Sequence, residues 1–148
     1  RWRRASPAPS SAAAPAAASQ LLVKRITLTG AEIVNSPTTT LTEVLPACGA
    51  GYYYNILAVN SRVINGSTPF AGGGIFFLRI DDLSAIATNG TTQMTSTNTF
   101  RNWSMAPSGS NVTTLGENLS VELFYTSGDP SAGNGTFDLW VFYTIEAI

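Results

Sequence analysis

The chain has 148 residues, 44% of them hydrophobic and only 11% charged, roughly half the usual charged share; Thr, Ser, Asn and Gly fill the difference, the profile of a β-rich extracellular or virion protein and not of a helical cytosolic enzyme. The net charge of −1 is unevenly spread, because Arg1, Arg3 and Arg4 make the first residues +3 while five cations against nine acids leave the remainder at −4. Histidine is absent and Cys48 is the single cysteine, which removes Ser-His-Asp and Cys-His catalysis, His-ligated metals, a histidine pH switch, an intrachain disulfide and any cysteine-based metal site.

Residues 1–19 are almost wholly Arg, Pro, Ala and Ser, a composition with too little apolar surface to offset the entropy of ordering. They are expected to be disordered or extended until they meet a partner, an anchoring arm led by Arg1, Trp2, Arg3 and Arg4. Three arginines are few for genome neutralisation, since phosphate affinity grows with the number of contacts; docking on an acidic protein surface suits them better, and nucleic acid is disfavoured as a partner. The arm has the arginines and alanines of a signal peptide but lacks its leucine-rich centre. A first residue other than Met is expected of a chain trimmed from a longer precursor. No apolar run approaches the roughly 18 to 20 residues of a membrane span, so no membrane partner is expected.

Residues 20–148 are expected to form one β-sandwich domain, since short β-branched and aromatic runs alternate with Gly, Pro, Asn and Ser clusters. Residues 21–29 set Leu22, Lys24, Ile26 and Leu28 against Leu21, Val23, Arg25 and Thr27, and stop at Gly30. Residues 38–45 form a second strand closed by Pro46. After the turn Cys48-Gly49-Ala50-Gly51, residues 52–64 form a long strand whose stretch from Tyr54 to Val59 reads as central and buried. Residues 75–80 are strongly apolar and end at Asp81-Asp82. Residues 82–87 are the one place where a helical turn is expected, with Asp81 or Asp82 as its cap. Weaker strands fall near 93–100 and 111–114, followed by 119–126 and 136–145. The last run places Phe137, Leu139, Val141, Tyr143 and Ile145 on one face and Asp138, Trp140, Phe142 and Thr144 on the other, apolar on both, as in a strand at the centre of the fold or covered by another subunit. About eight strands without an intervening helical period exclude a parallel α/β sheet and match an all-β antiparallel sandwich of jelly-roll type.

No residue set points to chemistry. Cys48 follows a strand-ending proline with no base beside it and reads as a structural thiol. Asp81-Asp82 with Asn89 lacks the oxygen-ligand spacing of a calcium loop, and Glu43, Glu117 and Glu122 stand in no recognisable pair for glycoside hydrolysis. Catalytic residues, cofactors and metals are therefore expected to be absent. Six Asn-X-Ser/Thr sequons, at Asn65, Asn89, Asn102, Asn111, Asn118 and Asn134, are read as products of a composition rich in Asn, Ser and Thr. Tyr52, Tyr53, Tyr54 and Trp103 are candidate ligand or interface aromatics; strand alternation favours core or subunit interface over a stacking platform for sugar or nucleic acid.

The order of the loop motifs adds a resemblance. Val23-Lys24-Arg25-Ile26-Thr27-Leu28-Thr29, then Ala31-Glu32-Ile33, then Pro46-Ala47-Cys48-Gly49-Ala50-Gly51-Tyr52 resemble small β-rich structural proteins of tailed bacteriophages, which open with an alternating strand, a short A-E-I turn and a P-A-P-G-A-G loop before a long central strand. Thr68-Pro69-Phe70-Ala71-Gly72-Gly73-Gly74 and Ser127-Gly128-Asp129-Pro130-Ser131-Ala132-Gly133-Asn134-Gly135 agree in place. The likeness spans residues 23–145; Cys48 stands where proline is usual, and residues 91–110 match nothing in the pattern. The resemblance implies a non-catalytic virion protein: a capsid decoration or cement protein, a head fibre or a tail-fibre knob. The expected assembly is a homotrimer whose arm anchors it to the major capsid protein or another virion protein. Two other readings stand beside it. One is a knob that binds host surface glycans through Trp103 and the tyrosines. The other is the jelly-roll coat protein of a small icosahedral virus with a genome-binding arm.

Overall fold

The computed structural model describes residues 19–34, 42–71, 75–80, 85–89, 100–105, 117–126 and 132–148. The C-terminal alternation is realised as a strand over Thr136–Ala147 (β9). It lies between Leu22–Thr29 (β1) and Tyr52–Ile64 (β3), antiparallel to both, and Phe100–Asn102 (β6) pairs with the far side of β3. This gives a four-stranded sheet ordered β1-β9-β3-β6. The second sheet is built from Glu43–Leu45 (β2), Ile75–Ile80 (β4), Ala85–Thr88 (β5), Ser104–Met105 (β7) and Val121–Thr126 (β8), in the order β2-β8-β4-β5-β7 and again antiparallel throughout.

Only Trp103 separates β6 from β7, and its amide donates to the Val59 carbonyl at 2.9 Å. The two short strands are thus one path that leaves the first sheet for the second. Counted so, eight strands wind as an antiparallel jelly roll, with β9 inserted between β1 and β3 and β8 between β2 and β4.

The core lies between the sheets. Phe137, Leu139 and Val141 from β9 are fully buried, as are Leu78 from β4 and Val121 and Leu123 from β8. Phe76 of the second sheet stacks on Phe137 of the first, with ring centroids 4.8 Å apart and planes 13° from parallel. Such a pair adds about 0.5–1.5 kcal/mol beyond its area.

Several expectations are corrected. The helical turn expected at residues 82–87 is a strand over Ala85–Thr88, and residues 81–84 lie outside the described set. There, Ile86 and Ala87 are buried and Ala87 pairs with Leu78; ladder and burial override the weak local preference for a helix. The one short helix among the described residues is Gly30–Val34 (α1). Its start is a capping box: the Glu32 carboxylate accepts from the Thr29 amide at 2.7 Å and the Thr29 hydroxyl accepts from the Glu32 amide at 3.3 Å. The backbone hydrogen bond from Thr29, followed by its hydroxyl, holds the Glu32 carboxyl below the ordinary carboxylate range.

The stretch from Tyr54 to Val59 is not continuously buried: β3 alternates, and a bulge between Ile56 and Ala58 leaves Leu57 49% exposed. Of the strand expected at 38–45 only Glu43–Leu45 is a strand among the described residues, and of 93–100 only Phe100 is described. The segment 111–114 lies outside them.

At one end of the sandwich Asn134 clasps the β3–β4 connection. Its side-chain oxygen accepts from the Thr68 amide, its side-chain nitrogen donates to Ser67 Oγ, both at 2.8 Å, and its own amide donates to the Thr68 carbonyl at 3.1 Å. Gly135 permits this approach, because a Cβ there would fall on the Ile64 carbonyl oxygen.

Two leucines separate packing from mere hydrophobicity. Leu139→Ala, at 0% exposure, should cost about 2–5 kcal/mol, whereas Leu57→Ala at the bulge should stay within about 0.5 kcal/mol; thermal unfolding of both variants beside the parent checks this.

Candidate functional site

An antiparallel sheet with water on its outer side normally carries polar residues there. On the outer side of the four-stranded sheet, β9 instead presents Asp138, Trp140 and Phe142 in succession, with only the first polar. The register builds two adjacent cross-strand rows from them. One runs Thr27, Asp138, Arg62, Phe100, and the next runs Arg25, Trp140, Asn60, Asn102.

Asp138 organises these rows. An acid at a strand start beside a Gly-Asn-Gly turn ordinarily reaches water, yet Asp138 is 2% exposed. Its Oδ1 accepts from Thr27 Oγ1 at 2.5 Å and from Arg25 Nη2 at 3.1 Å, and its Oδ2 accepts from Arg62 Nη2 at 2.7 Å. Burial alone raises the pKa of this carboxyl, but the hydrogen bonds from Thr27, Arg62 and Arg25 outweigh it and hold the group below its ordinary value. The signal for this arrangement was present in the sequence: a lone acid inside an apolar strand must find a cation, and Arg25 lies at an outward position of β1.

The guanidiniums also cover aromatic rings. Arg25 lies 5.2 Å from the Trp140 centroid, and Arg62 lies 5.6 Å from Phe100 and 5.7 Å from Trp140. Phe100 stacks on Trp140 at 5.4 Å and 20° while remaining 62% exposed. The outer side of the second sheet repeats the theme. Phe77 stacks on Phe124 at 5.1 Å, Arg79 lies 4.8 Å from the Phe124 ring, and its Nη2 pairs with Glu122 Oε2 at 2.9 Å.

The aromatics singled out from the sequence are divided by the fold. Tyr54 is a core residue, edge-on to Tyr143 at 5.4 Å, and its hydroxyl donates to the Pro46 carbonyl at 2.6 Å. Burial raises the Tyr54 pKa. Trp103 is also in the core, its Nε1–H donating to Ser61 Oγ at 2.7 Å. Tyr52 is exposed on the same side of β3 as Tyr54, and Tyr53 is half-buried on the opposite side, paired with Glu146. The four do not form one platform. Arg1, Trp2, Arg3 and Arg4 lie outside the described residues, as do Asp81 and Asp82.

Other polar candidates serve the fold. Cys48 donates from Sγ to the Tyr52 carbonyl at 3.1 Å. Glu117 and Asn118 accept from the Gly51 and Gly49 amides at 2.5 and 2.9 Å. Asn89 is buried and accepts from the Phe76 amide at 3.0 Å. Asn89, Asn118 and Asn134 thus use their sequon side chains in the fold. Among the described residues no group of three or more Cys, Asp or Glu is placed to hold a metal ion, and no helix is long and apolar enough to cross a membrane.

No protein-family model matches this chain, and no curated protein matches it. A solved structure of the capsid of Ralstonia phage GP4 aligns over 95% of this chain and 90% of that one, with 16% identity and a TM-score of 0.47.

Asp138→Asn should destabilise the fold by about 2–4 kcal/mol, since breaking a fully buried pair costs about 3–5 kcal/mol and the side chains of Arg25 and Arg62 are 56% and 33% exposed. Because its folded pKa is depressed, the aspartate contributes fully above the unfolded value of about 3.9 and loses its contribution as pH falls through the lower folded value. The gap in unfolding free energy between parent and variant should therefore be constant near neutrality and narrow on acidification below about pH 4, as denaturant titrations at a series of pH values will read.

Proposed function

We propose that this chain is a non-catalytic structural protein of a tailed-phage virion: a capsid decoration, cement or head-fibre protein, assembled as a homotrimer and anchored by residues 1–19 to the major capsid protein or another virion protein. The observation that carries the structural role is the aromatic character of the outer face of the second sheet, where Phe77 and Phe124 stack across β4 and β8. Apolar side chains at interior positions of outward faces are the usual mark of surfaces that other proteins cover. Their arginine covers keep the separate chain soluble, because a guanidinium lies over a ring while its charged edge stays in water.

The jelly-roll winding and the loop motifs from Val23 to Gly135, in the order of the phage proteins they resemble, support the virion part of the reading. Chemistry is poorly served: the chain has no histidine, and Cys48 is tied to a backbone carbonyl. The coat-protein reading is disfavoured because three arginines in the arm neutralise few phosphates.

Removal of residues 1–19 should leave the unfolding midpoint within a few degrees of the parent and abolish attachment to virions. Inside that segment the described contact is an exposed hydrogen bond from Ser19 to Glu146, which adds little to stability. Co-sedimentation of parent and truncated chain with virions lacking the protein measures the effect, and undiminished occupancy by the truncated chain would reject the anchoring role.

A further inference from the structure

The two rows on the outer side of the four-stranded sheet hold more recognition chemistry than the fold consumes. A guanidinium has five N–H donors. Among the described residues the guanidiniums of Arg25 and Arg62 each make one hydrogen bond, to Asp138. Two guanidiniums against one carboxylate also leave a surplus positive charge, in a body whose net charge is negative. Glu146 shares the face but lies six residues beyond Trp140 along β9, roughly 20 Å away at strand spacing. Asn60 and Asn102 pair across β3 and β6 beside Trp140. Neither amide side chain has a hydrogen-bond partner among the described residues, and Asn102 is exposed. Phe100 borders them with a ring 62% exposed and already stacked on Trp140.

We propose that this patch, Phe100 and Trp140 with Arg25, Arg62, Asn60 and Asn102, binds a carboxylate-bearing sugar of an acidic glycan. Each part matches one feature of such a ligand. The exposed aromatic ring stacks against the C–H face of a pyranose, the amides meet its hydroxyls as both donors and acceptors, and the surplus guanidinium charge meets its carboxylate in a charge-assisted pair. Asp138 acts as a positioning residue: it holds both arginines over the rings without neutralising them fully. Between Cα positions the patch spans about 14 Å across the strands and about 7 Å along them, a footprint for one or two sugar units. A neutral sugar would leave the surplus charge unmet, and a nucleic acid would call for a row of cations that the face does not carry. The inference goes beyond the virion role and is independent of how the arm attaches.

The test uses the full chain on an array of uronic- and sialic-acid oligosaccharides and their neutral methyl esters, followed by calorimetry with the acidic sugar that binds. The acid should bind at least tenfold more tightly than its ester and weaken as salt is raised. Phe100→Ala, which removes an exposed ring and leaves the core intact, should weaken binding at least tenfold. Asn102→Ala should weaken it about threefold or more; thermal unfolding of Asn102→Ala should match the parent, and Phe100→Ala, which loses the stack on Trp140, should remain folded with a midpoint lowered by only a few degrees. Equal binding of acid and ester, binding untouched by Phe100→Ala, or no binding of any acidic sugar would overturn the proposal. If sugar binding is absent and Phe100→Ala instead dissociates the oligomer, this face is a subunit contact; the glycan site then falls while the structural role stands.

Discussion

The insertion of β9 between β1 and β3 is the constraint on which the first sheet depends. β1 and β3 do not pair with each other; they are joined through the last strand of the chain, over eight registered positions on one side and nearly the whole strand on the other. The inner side of β9 supplies Phe137, Leu139 and Val141 to the core, and its outer side supplies the acid that ties β1 to β3 a second time, through Arg25 and Arg62. Closure of the sandwich therefore waits on residues distant in sequence, a topology of non-local contacts that folds slowly compared with helical domains.

Asp138 shows how a charge is accommodated on such a strand. An unpaired carboxylate at 2% exposure would be prohibitive. Here it is met by a hydroxyl and two guanidiniums whose outer parts remain in water, which lowers the desolvation cost relative to a fully buried pair. The same guanidiniums shelter Trp140 and Phe100, so charge pairing and aromatic cover are one arrangement and not two. The second sheet reuses it with Glu122, Arg79 and Phe124. Both faces combine apolar area with directional donors, the combination that a specific surface requires and that a purely greasy one lacks.

The loops divide differently. Their asparagines and glycines close the ends of the sandwich: Asn134 holds the β3–β4 connection, and Asn118 with Glu117 holds the turn at Gly49 and Gly51. These are structural roles for residue types that, read singly, suggest glycosylation or catalysis. Among the described residues, Asn60, Asn102, Arg25 and Arg62 on the sheet face keep hydrogen-bonding capacity that the fold does not use.

Much of the architecture was legible in the order of residues. Period-2 alternation located β1 and β9, and β-rich runs bounded by turn residues located β3, β4 and β8, each to within a few residues, because side-chain direction and turn chemistry are local properties. The jelly-roll class followed from strand number and spacing, and the double-faced apolar character of β9 was plain from its composition. The helical turn was misplaced although Thr29 and Glu32 carry a capping-box spacing, and Ala85–Thr88 was misread because its strand state comes from pairing with β4. Which aromatics are core and which are surface was decided only by the tertiary structure. Tyr54 and Trp103 turn inward, Phe100 and Trp140 outward, and the charge on Asp138 is buried. Each outcome depends on cross-strand register between segments up to 113 residues apart, and register is a relation between strands that no single strand encodes.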